Sequence, residues 1–340
     1  MSRTGHRRGL WVLGGLTVVL GISMLVAVAV GAVRVPLTEV IDAIVRALTG
    51  RGGGFADAVI VNIRLPRVVL AAFVGAALAG AGALYQALFR NPLADPYILG
   101  VSSGAGLGAM IAIVATAGMT GARFGLVPAA AFLGATLTMI LVVRLASLRG
   151  RLDPTSLLLA GVALSYTLAA VTSFVMVLSR EQMAAIVYWM MGGLTSASWA
   201  YVAMIAPMFL VGVAWPLLAT RELNLMLLGD ERAGELGVDV ERFKLTVLAA
   251  ASLLTAAAVS VAGLIGFVGL MTPHMVRLVL GPDHRLLLPA SLLGGATLMV
   301  LADLVARTVL APTEIPVGIV TAVFGGPFFI WLLVRRGVPR

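Results

Sequence analysis

The sequence has no cysteine, three histidines and a single lysine, Lys244, among its 340 residues. The lack of cysteine excludes disulfide bonds, thiolate nucleophiles and cysteine metal sites. A phosphate-binding loop of the form Gly-x-x-x-x-Gly-Lys-Ser/Thr is also excluded, because the only lysine lies outside any such run. The chain therefore lacks the usual motif for nucleotide hydrolysis.

Charge is scarce as well. Only 11% of the residues are charged, 60% are hydrophobic and the mean hydropathy is +1.06. This composition is typical of a membrane protein that crosses the bilayer several times. The net charge of +9 does not indicate a nucleic-acid partner, since the arginines collect between apolar runs, as expected for loops on the cytoplasmic side.

Ten apolar runs are long enough, at about 20 residues each, to cross a bilayer. They are residues 10–33, 66–89, 97–118, 124–146, 155–178, 198–219, 243–263, 265–281, 286–306 and 316–334. The eighth is short and contains Pro273, and merging it with the seventh would leave nine. The first run is longer than a signal-peptide core, so we expect a retained helix. The sequence predicts one all-α transmembrane domain over residues 1–340.

Two further segments are too short to span. Residues 37–49 carry apolar side chains at helical spacing with one polar face, which predicts an interfacial helix. Residues 183–193 predict a half-helix at the surface.

The distribution of arginine and lysine predicts the orientation. With both termini cytoplasmic, 16 of the 24 basic residues lie inside and 8 outside, which agrees with the positive-inside rule. The block of helices two to five then begins on the outer side, and the block of helices seven to ten begins on the inner side. These opposite directions allow an inverted repeat.

The stretch RNPLADPYILGVSSGAG, residues 90–106, interrupts the apolar runs. Ser102 has the Gly-x-Ser-x-Gly spacing of a nucleophile elbow, and His274 is the one intramembrane candidate for its base. An intramembrane serine hydrolase is therefore a remote alternative, because glycines spaced around a serine are common in membrane helices.

A second interpretation fits this stretch better. Gly100, Gly104 and Gly108 recur every four residues and predict a helix face that another helix can approach closely. The Asn91-Pro92 and Asp95-Pro96 pairs before them predict a rigid cytoplasmic turn, either a simple connection or a gate.

Arg64, Arg67 and Arg307 fall on the outer side, against the topological bias. They either extend to lipid headgroups or bind an acidic partner outside the membrane. Asp303 and Glu314 lie near the same interface and could pair with Arg307.

The longest polar connection, residues 220–244, mixes both charge signs with several leucines. It is either a solvated loop or one or two short helices that bind a soluble cytoplasmic partner.

Several stretches together resemble the FecCD-type permeases. They are RLPRVVLAAFVGAALAGAGALYQALFRNPLADPYILGVSSGAGLGA (64–109), PTSLLLAGVALS (154–165), LGDERAGELGV (228–238) and the segment 263–336 that begins GLIGFVGLMTPHMVRLVLGPDHR. These permeases are the membrane subunits of ABC importers for ferric siderophores, haem and cobalamin. The match runs in the family's order and spacing from about residue 60 onward.

The resemblance implies a homodimer of ten-helix subunits in a bacterial or archaeal cytoplasmic membrane. Two cytoplasmic ATPase subunits and an extracytoplasmic substrate-binding protein would be its partners, besides the lipid bilayer. The chain itself would bind no cofactor or metal, since ATP and magnesium belong to the ATPase. It would be no enzyme.

The family's functional residues map onto matching positions of this sequence. By resemblance, Arg64, Arg67 and Arg307 would contact the binding protein. Asn91, Leu93, Thr155 and Ser156 would form the cytoplasmic gate. The contacts with the ATPase would come from Leu228, Gly229, Ala233, Leu236 and Gly237. The sequence predicts no ion-pair partners for the charges of Asp230, Glu231 and Arg232.

The substrate expected first is an iron chelate, the commonest cargo of the family, with haem and cobalamin as alternatives. A secondary, ion-coupled transporter is the alternative from another class. It would transport its substrate without an ATPase.

Overall fold

The computed structural model describes residues 3–31, 35–50, 54–119, 123–149 and 152–336. Across these ranges all regular structure is helical. In chain order the α-helices are α1 Arg3–Ala29, α2 Leu37–Leu48, α3 Phe55–Val59, α4 Leu65–Leu88, α5 Val101–Ala115, α6 Arg123–Ala146, α7 Pro154–Leu178, α8 Met183–Met190, α9 Trp199–Leu218, α10 Thr220–Met226, α11 Asp230–Glu235, α12 Val240–Ala262, α13 Val268–Leu280, α14 His284–Thr308 and α15 Val317–Arg336. A π-helical turn, Ile60–Arg64, joins α3 to α4.

Each of the ten predicted apolar runs contains a helix of this structure. In the described part of the chain, seven helices are long and apolar enough to cross a membrane, and α5, α13 and α15 are shorter apolar helices. The all-helical class is therefore confirmed. The count of ten spanning helices and the inverted repeat stay predictions.

Several predicted boundaries differ from those of the structure, two of them at breaks between helices. The third run was expected to begin its helix at residue 97, but α5 begins at Val101 because residues 91–100 form successive turns that end at Gly100 with φ +78°. The eighth run was expected to begin at 265, but α13 begins at Val268. Gly263 and Phe267 both have positive φ, which breaks the chain between α12 and α13 and keeps these helices separate.

The centre of the bundle is α4. In the most apolar 18-residue stretch of the continuous span Phe55–Leu88, 83% of the residues are buried, against 11% for the corresponding stretch of α7. Helices α9, α12, α13 and α14 surround α4. Small residues make this possible, since backbone atoms of Gly295 on α14 and of Gly269 on α13 occupy the space that a Cβ at Gly75 or Gly82 would need.

Helix α2 is amphipathic, as its spacing predicted. Val40 and Ala43 are buried, whereas the opposite face exposes Leu37, Ile41, Val45 and Leu48. An ion pair between Arg46 and Asp57, 2.7 Å between Nη2 and Oδ1, attaches α2 to α3. Its place at a membrane surface stays a prediction.

The bundle has two ends that matter for the site. At one, called the arginine end, Arg64 and Arg67 at the start of α4 meet Arg307 near the end of α14. At the other, called the α10–α11 end, the chain leaves α4 at Arg90 and contacts Asp230 at the start of α11. Helix α4 thus runs from one candidate site to the other.

Candidate functional site

The three arginines predicted to face a partner lie together at the arginine end, yet their side chains are largely buried. Arg64 is 9% exposed and donates from Nη1 to the carbonyl oxygens of Val28 and Ala29, at 2.9 and 3.1 Å. Arg307 is 7% exposed and donates to the Ala27 carbonyl. Both therefore bind the end of α1 within this chain. Docking of a binding protein here stays a prediction.

Arg67 forms the best-satisfied contact of this cluster. Its Nε and Nη2 donate to Asp303, with distances of 2.8 to 3.1 Å, and its Nη1 donates to Glu314 at 2.9 Å. The expected pairing of these carboxylates with Arg307 holds in part, since Arg307 Nε lies 3.4 Å from Asp303 Oδ2. Asp303 is 1% exposed and Glu314 33%, so Glu314 is the carboxylate that a partner could reach.

The turn over residues 90–100 is rigid for local reasons. The Asn91 side chain accepts from the Leu93 N–H at 2.9 Å, and the Asp95 side chain accepts from the Tyr97 N–H at 2.7 Å. These are two successive Asx turns. Burial raises the pKa of the Asp95 carboxyl above its usual range, against the lowering effect of the Tyr97 N–H. Asn91 and Leu93 are exposed, as candidate gate residues would need to be.

Tyr97 anchors this turn to the break between α12 and α13. Its hydroxyl donates to the Ile265 carbonyl and accepts from the Ile265 N–H, both at 3.0 Å. One tyrosine thereby satisfies two backbone groups that the break leaves outside a helix. Pro96 packs against Gly269, where a Cβ would collide with the proline ring.

The second predicted gate segment is the start of α7. Asp153 caps this helix and accepts from the Ser156 N–H at 3.0 Å, while Thr155 is exposed. One turn further on, Gly161 packs against the backbone of residues 98–99. Helix α7 therefore packs against the end of the 90–100 turn. The structure thus brings the two predicted gate segments into contact.

The three glycines predicted to line one helix face divide between two neighbours. Gly104 packs against Thr138 and Gly108 against Ala130, both on α6. Gly100 is not part of the helix but precedes it, and lies against Ser165 and Gly161 on α7. The close approach is present, but Gly100 also serves as the left-handed N-cap of α5.

The polar connection after α9 folds into α10 and α11, so it is not a plain loop. Gly229 and Gly237 bound α11 with φ of +104° and +87°, conformations that favour glycine. Leu228 and Leu236 are 52% and 54% exposed. Ala233 is fully buried and packs against its own chain, and its contact with an ATPase stays a prediction.

The sequence predicted no partner for Asp230, but in the structure this carboxylate has two. Asp230 Oδ2 lies 2.6 Å from Nζ of Lys244, and Asp230 Oδ1 lies 3.5 Å from Nη2 of Arg90. The one available signal was the presence of a single lysine in an apolar chain, at the start of a spanning helix.

A cavity of about 560 Å³ was also missed. It lies between α5, α6, α8, α9 and α12, and its lining includes Tyr188, Trp189, Tyr201, Thr195 and Ser260. Its lining includes residues from five helices that are spread along the sequence, which no spacing could predict. Within the described ranges, no group of three His, Asp or Glu side chains is placed to hold a metal ion.

The hydrolase alternative gains no support from these contacts. Ser102 is the second residue of α5, which packs against α6 and α7. His274 is buried on α13, beside the ring of Phe329 on α15. Helices α5 and α13 thus pack against different neighbours.

Comparison with known proteins gives consistent matches along the chain. The model of the FecCD transport family matches residues 19–335. The cobalamin import system permease protein BtuC of Halobacterium salinarum is 50% identical over 283 residues, which are 83% of this chain and 75% of that protein. The hemin transport system permease protein HmuU of Yersinia pestis is 43% identical over 288 residues, 82% of this chain and 84% of that protein.

The fold matches as well. A solved structure of a metal-chelate type ABC transporter in an inward-facing conformation has a TM-score of 0.82 and 33% sequence identity to this chain. The match covers 95% of this chain and 98% of the other. The family model spans most of the length of this chain, and helices α2 to α14, the arginine end and the α10–α11 segment lie within the matched residues. The chain therefore belongs to the FecCD transport family.

Proposed function

We propose that this chain is the membrane-spanning permease subunit of an ABC importer for a metal chelate. The observation that carries the proposal is the family match over residues 19–335. Its relatives are named as permeases for cobalamin and hemin, and its fold matches a metal-chelate type transporter. The chain is a multi-pass membrane protein.

ATP hydrolysis belongs to a partner subunit in this proposal. A phosphate-binding loop needs a lysine after a glycine-rich turn, but the only lysine is Lys244, which lies on α12 and contacts Asp230. The ATPase would bind at the α10–α11 end, where Leu228 and Leu236 are exposed beside charged side chains. In this proposal α10, α11 and both termini lie on the cytoplasmic side.

The arginine end would then face outward and receive the substrate-binding protein. Acidic side chains of that protein would compete with Glu314 for Arg67, because Glu314 is the more exposed of the two carboxylates. Arg64 and Arg307 would contribute by their positive field more than by direct contact, since they are bound to the end of α1.

A homodimer would supply the path for the chelate. The packed helix α4 fills the centre of a single bundle, so a large substrate needs a route along the bundle surface. Helix α7 exposes apolar side chains such as Leu159, Tyr166 and Phe174, and it carries the proposed gate residues Thr155 and Ser156 at its start. A second copy facing α7 would close such a route.

The substrate is proposed as a chelate with a large ring system or an iron siderophore. The named relatives point to cobalamin and hemin, and the higher identity is to the cobalamin permease. The cavity lined by Tyr188, Trp189 and Tyr201 offers aromatic faces to a planar ring.

The experiment that tests this function is uptake into proteoliposomes. The chain is reconstituted with its cognate ATPase and binding protein, and labelled cobalamin, haem and ferric siderophore are supplied in parallel. We expect uptake of one chelate that requires ATP and both partners, and that weakens in Arg67→Glu but not in Arg46→Gln. Uptake that continues without the ATPase would overturn the proposal in favour of a secondary transporter.

A further inference from the structure

Lys244 is a buried cation with few acceptors. It lies near the start of α12 and is 4% exposed. Its Nζ lies 2.6 Å from Asp230 Oδ2 and donates to the Leu152 carbonyl at 3.1 Å. A buried ammonium group is costly unless it is paired and hydrogen-bonded, so these two contacts, with Glu241 Oε1 at 4.0 Å, make the buried position tolerable.

These contacts join three separate elements. Asp230 is the first residue of α11, and Leu152 lies in the connection before α7. Leu152 is held on both sides, because its N–H donates to Glu241 Oε2 at 3.0 Å while its carbonyl accepts from Lys244. The start of α12 therefore fixes the backbone of the residue directly before the α7 cap, Asp153.

Asp230 also reaches the other predicted gate segment. Its second oxygen, Oδ1, lies 3.5 Å from Nη2 of Arg90, which directly precedes Asn91. Arg90 has φ +49°, an uncommon conformation for a residue with a side chain, so the chain turns sharply at this contact. The Asp230 carboxylate thus contacts the first residue of the 90–100 turn. Through Lys244 it is also linked to Leu152, just before α7.

We propose that the Asp230–Lys244 pair, with Arg90, transmits movement of α11 to both gate segments. The inference rests on the proposed function, in which an ATPase displaces α10 and α11. A displacement of α11 moves Asp230, and the pair then carries Leu152 and Arg90 with it. Leu152 lies shortly before Thr155 and Ser156 in the sequence. Arg90 lies directly before Asn91 and shortly before Leu93. Asp230 and Lys244 act here as positioning residues, because they touch neither substrate nor nucleotide.

The test compares chelate uptake with ATP hydrolysis in the complete complex. Asp230→Asn removes the charge at nearly constant size, Asp230→Glu retains it, and Lys244→Met removes the other partner. Arg242→Gln is the matched control: it breaks an ion pair to Asp239 of 3.1 Å in the same segment, but that pair joins two residues of one turn. The probe is whichever of labelled cobalamin, haem or ferric siderophore the unmodified complex takes up.

We expect chelate uptake per ATP hydrolysed to fall about tenfold in Asp230→Asn and Lys244→Met, the scale of a typical coupling between sites. ATP hydrolysis should persist, Asp230→Glu should recover much of the ratio, and Arg242→Gln should keep it. An unchanged ratio in Asp230→Asn would overturn the inference. So would a parallel loss of hydrolysis and uptake, or failure of this variant to assemble, because the pair would then only hold the fold together.

The proposed function fails in a different way. If the unmodified complex shows no ATP-dependent uptake of any of the three chelates, the importer assignment itself is wrong. That result is obtained before any variant is compared.

Discussion

Arg67 and Asp303 are 236 residues apart in the sequence, yet Nε and Nη2 of the arginine donate to the carboxylate at 2.8 to 3.1 Å. The pair connects the start of α4 to the end of α14. Asp303 is 1% exposed, and Arg307 lies on its other side at 3.4 Å. An arginine that the sequence assigned to an external partner is thus also a structural contact.

Asp303→Asn should destabilise the fold by about 3 to 5 kcal/mol, because it leaves the buried charges of Arg67 and Arg307 without their shared partner. Thermal unfolding of the detergent-solubilised protein measures the loss. Arg46→Gln, which breaks the more exposed pair with Asp57, should cost less. Equal effects of the two variants would contradict the assignment of a buried pair.

Gly104→Ala and Gly106→Ala form a matched pair on α5. A Cβ at position 104 would collide with Thr138 and with the Gly134 carbonyl on α6, whereas a Cβ at 106 meets no atom within 4 Å. We expect Gly104→Ala to destabilise by about 1 to 3 kcal/mol. Gly106→Ala should be neutral or stabilising by up to about 1 kcal/mol, since alanine is the better helix residue. Unfolding midpoints measure both effects, and the reverse order would contradict the close packing of α5 on α6.

Tyr97→Phe removes the hydroxyl that satisfies both backbone groups of Ile265. Leaving buried backbone groups without a partner should cost about 1 to 3 kcal/mol. Tyr166→Phe is the control, because Tyr166 is 76% exposed on α7 and its change should stay within about 0.5 kcal/mol. Thermal unfolding compares the two, and an effect of Tyr97→Phe no larger than that of the control would count against the anchoring role.

Asp283 should make stability depend on pH. Burial raises the pKa of its carboxyl, but hydrogen bonds from the Arg285 N–H and the Asn224 amide, together with the positive charge of Arg285, lower it by more, so the net direction is down. A lowered pKa in the folded state stabilises above the unfolded-state value, about 3.9 for aspartate, and this contribution is lost as pH falls through the folded-state value.

Asp283→Asn keeps an N-cap side chain but removes the negative charge, so it should lose about 0.3 to 1 kcal/mol at neutral pH, the size of a carboxylate's interaction with a helix N-terminus, and much less in strong acid. Unfolding of both proteins from about pH 7 to about pH 3 measures the difference, which should shrink as the pH falls. A difference that stays constant over this range would show that the carboxylate charge contributes nothing.

The helices themselves follow from the sequence. Apolar runs of spanning length, bounded by arginine, proline and glycine, predicted a helix in each of ten segments, and each segment contains one. The rigid turn was readable from the Asn91-Pro92 and Asp95-Pro96 pairs, because their effect on the backbone is local. The start of α5 could not be predicted from the local sequence. Residues 97–100 are apolar, but they are held in turns by Tyr97 and its distant partner Ile265.

The sequence by itself determined that this is a helical membrane protein, which segments form helices, and which family it resembles, because hydrophobicity, turn chemistry and motif spacing are local properties of the chain. Only the tertiary structure decided that Arg67 binds Asp303, that Ala233 faces inward and that Lys244 joins Asp230 to Leu152. Such contacts depend on how helices distant in sequence pack against α4, and the periodicity of one helix carries no information about the side chain that will lie opposite.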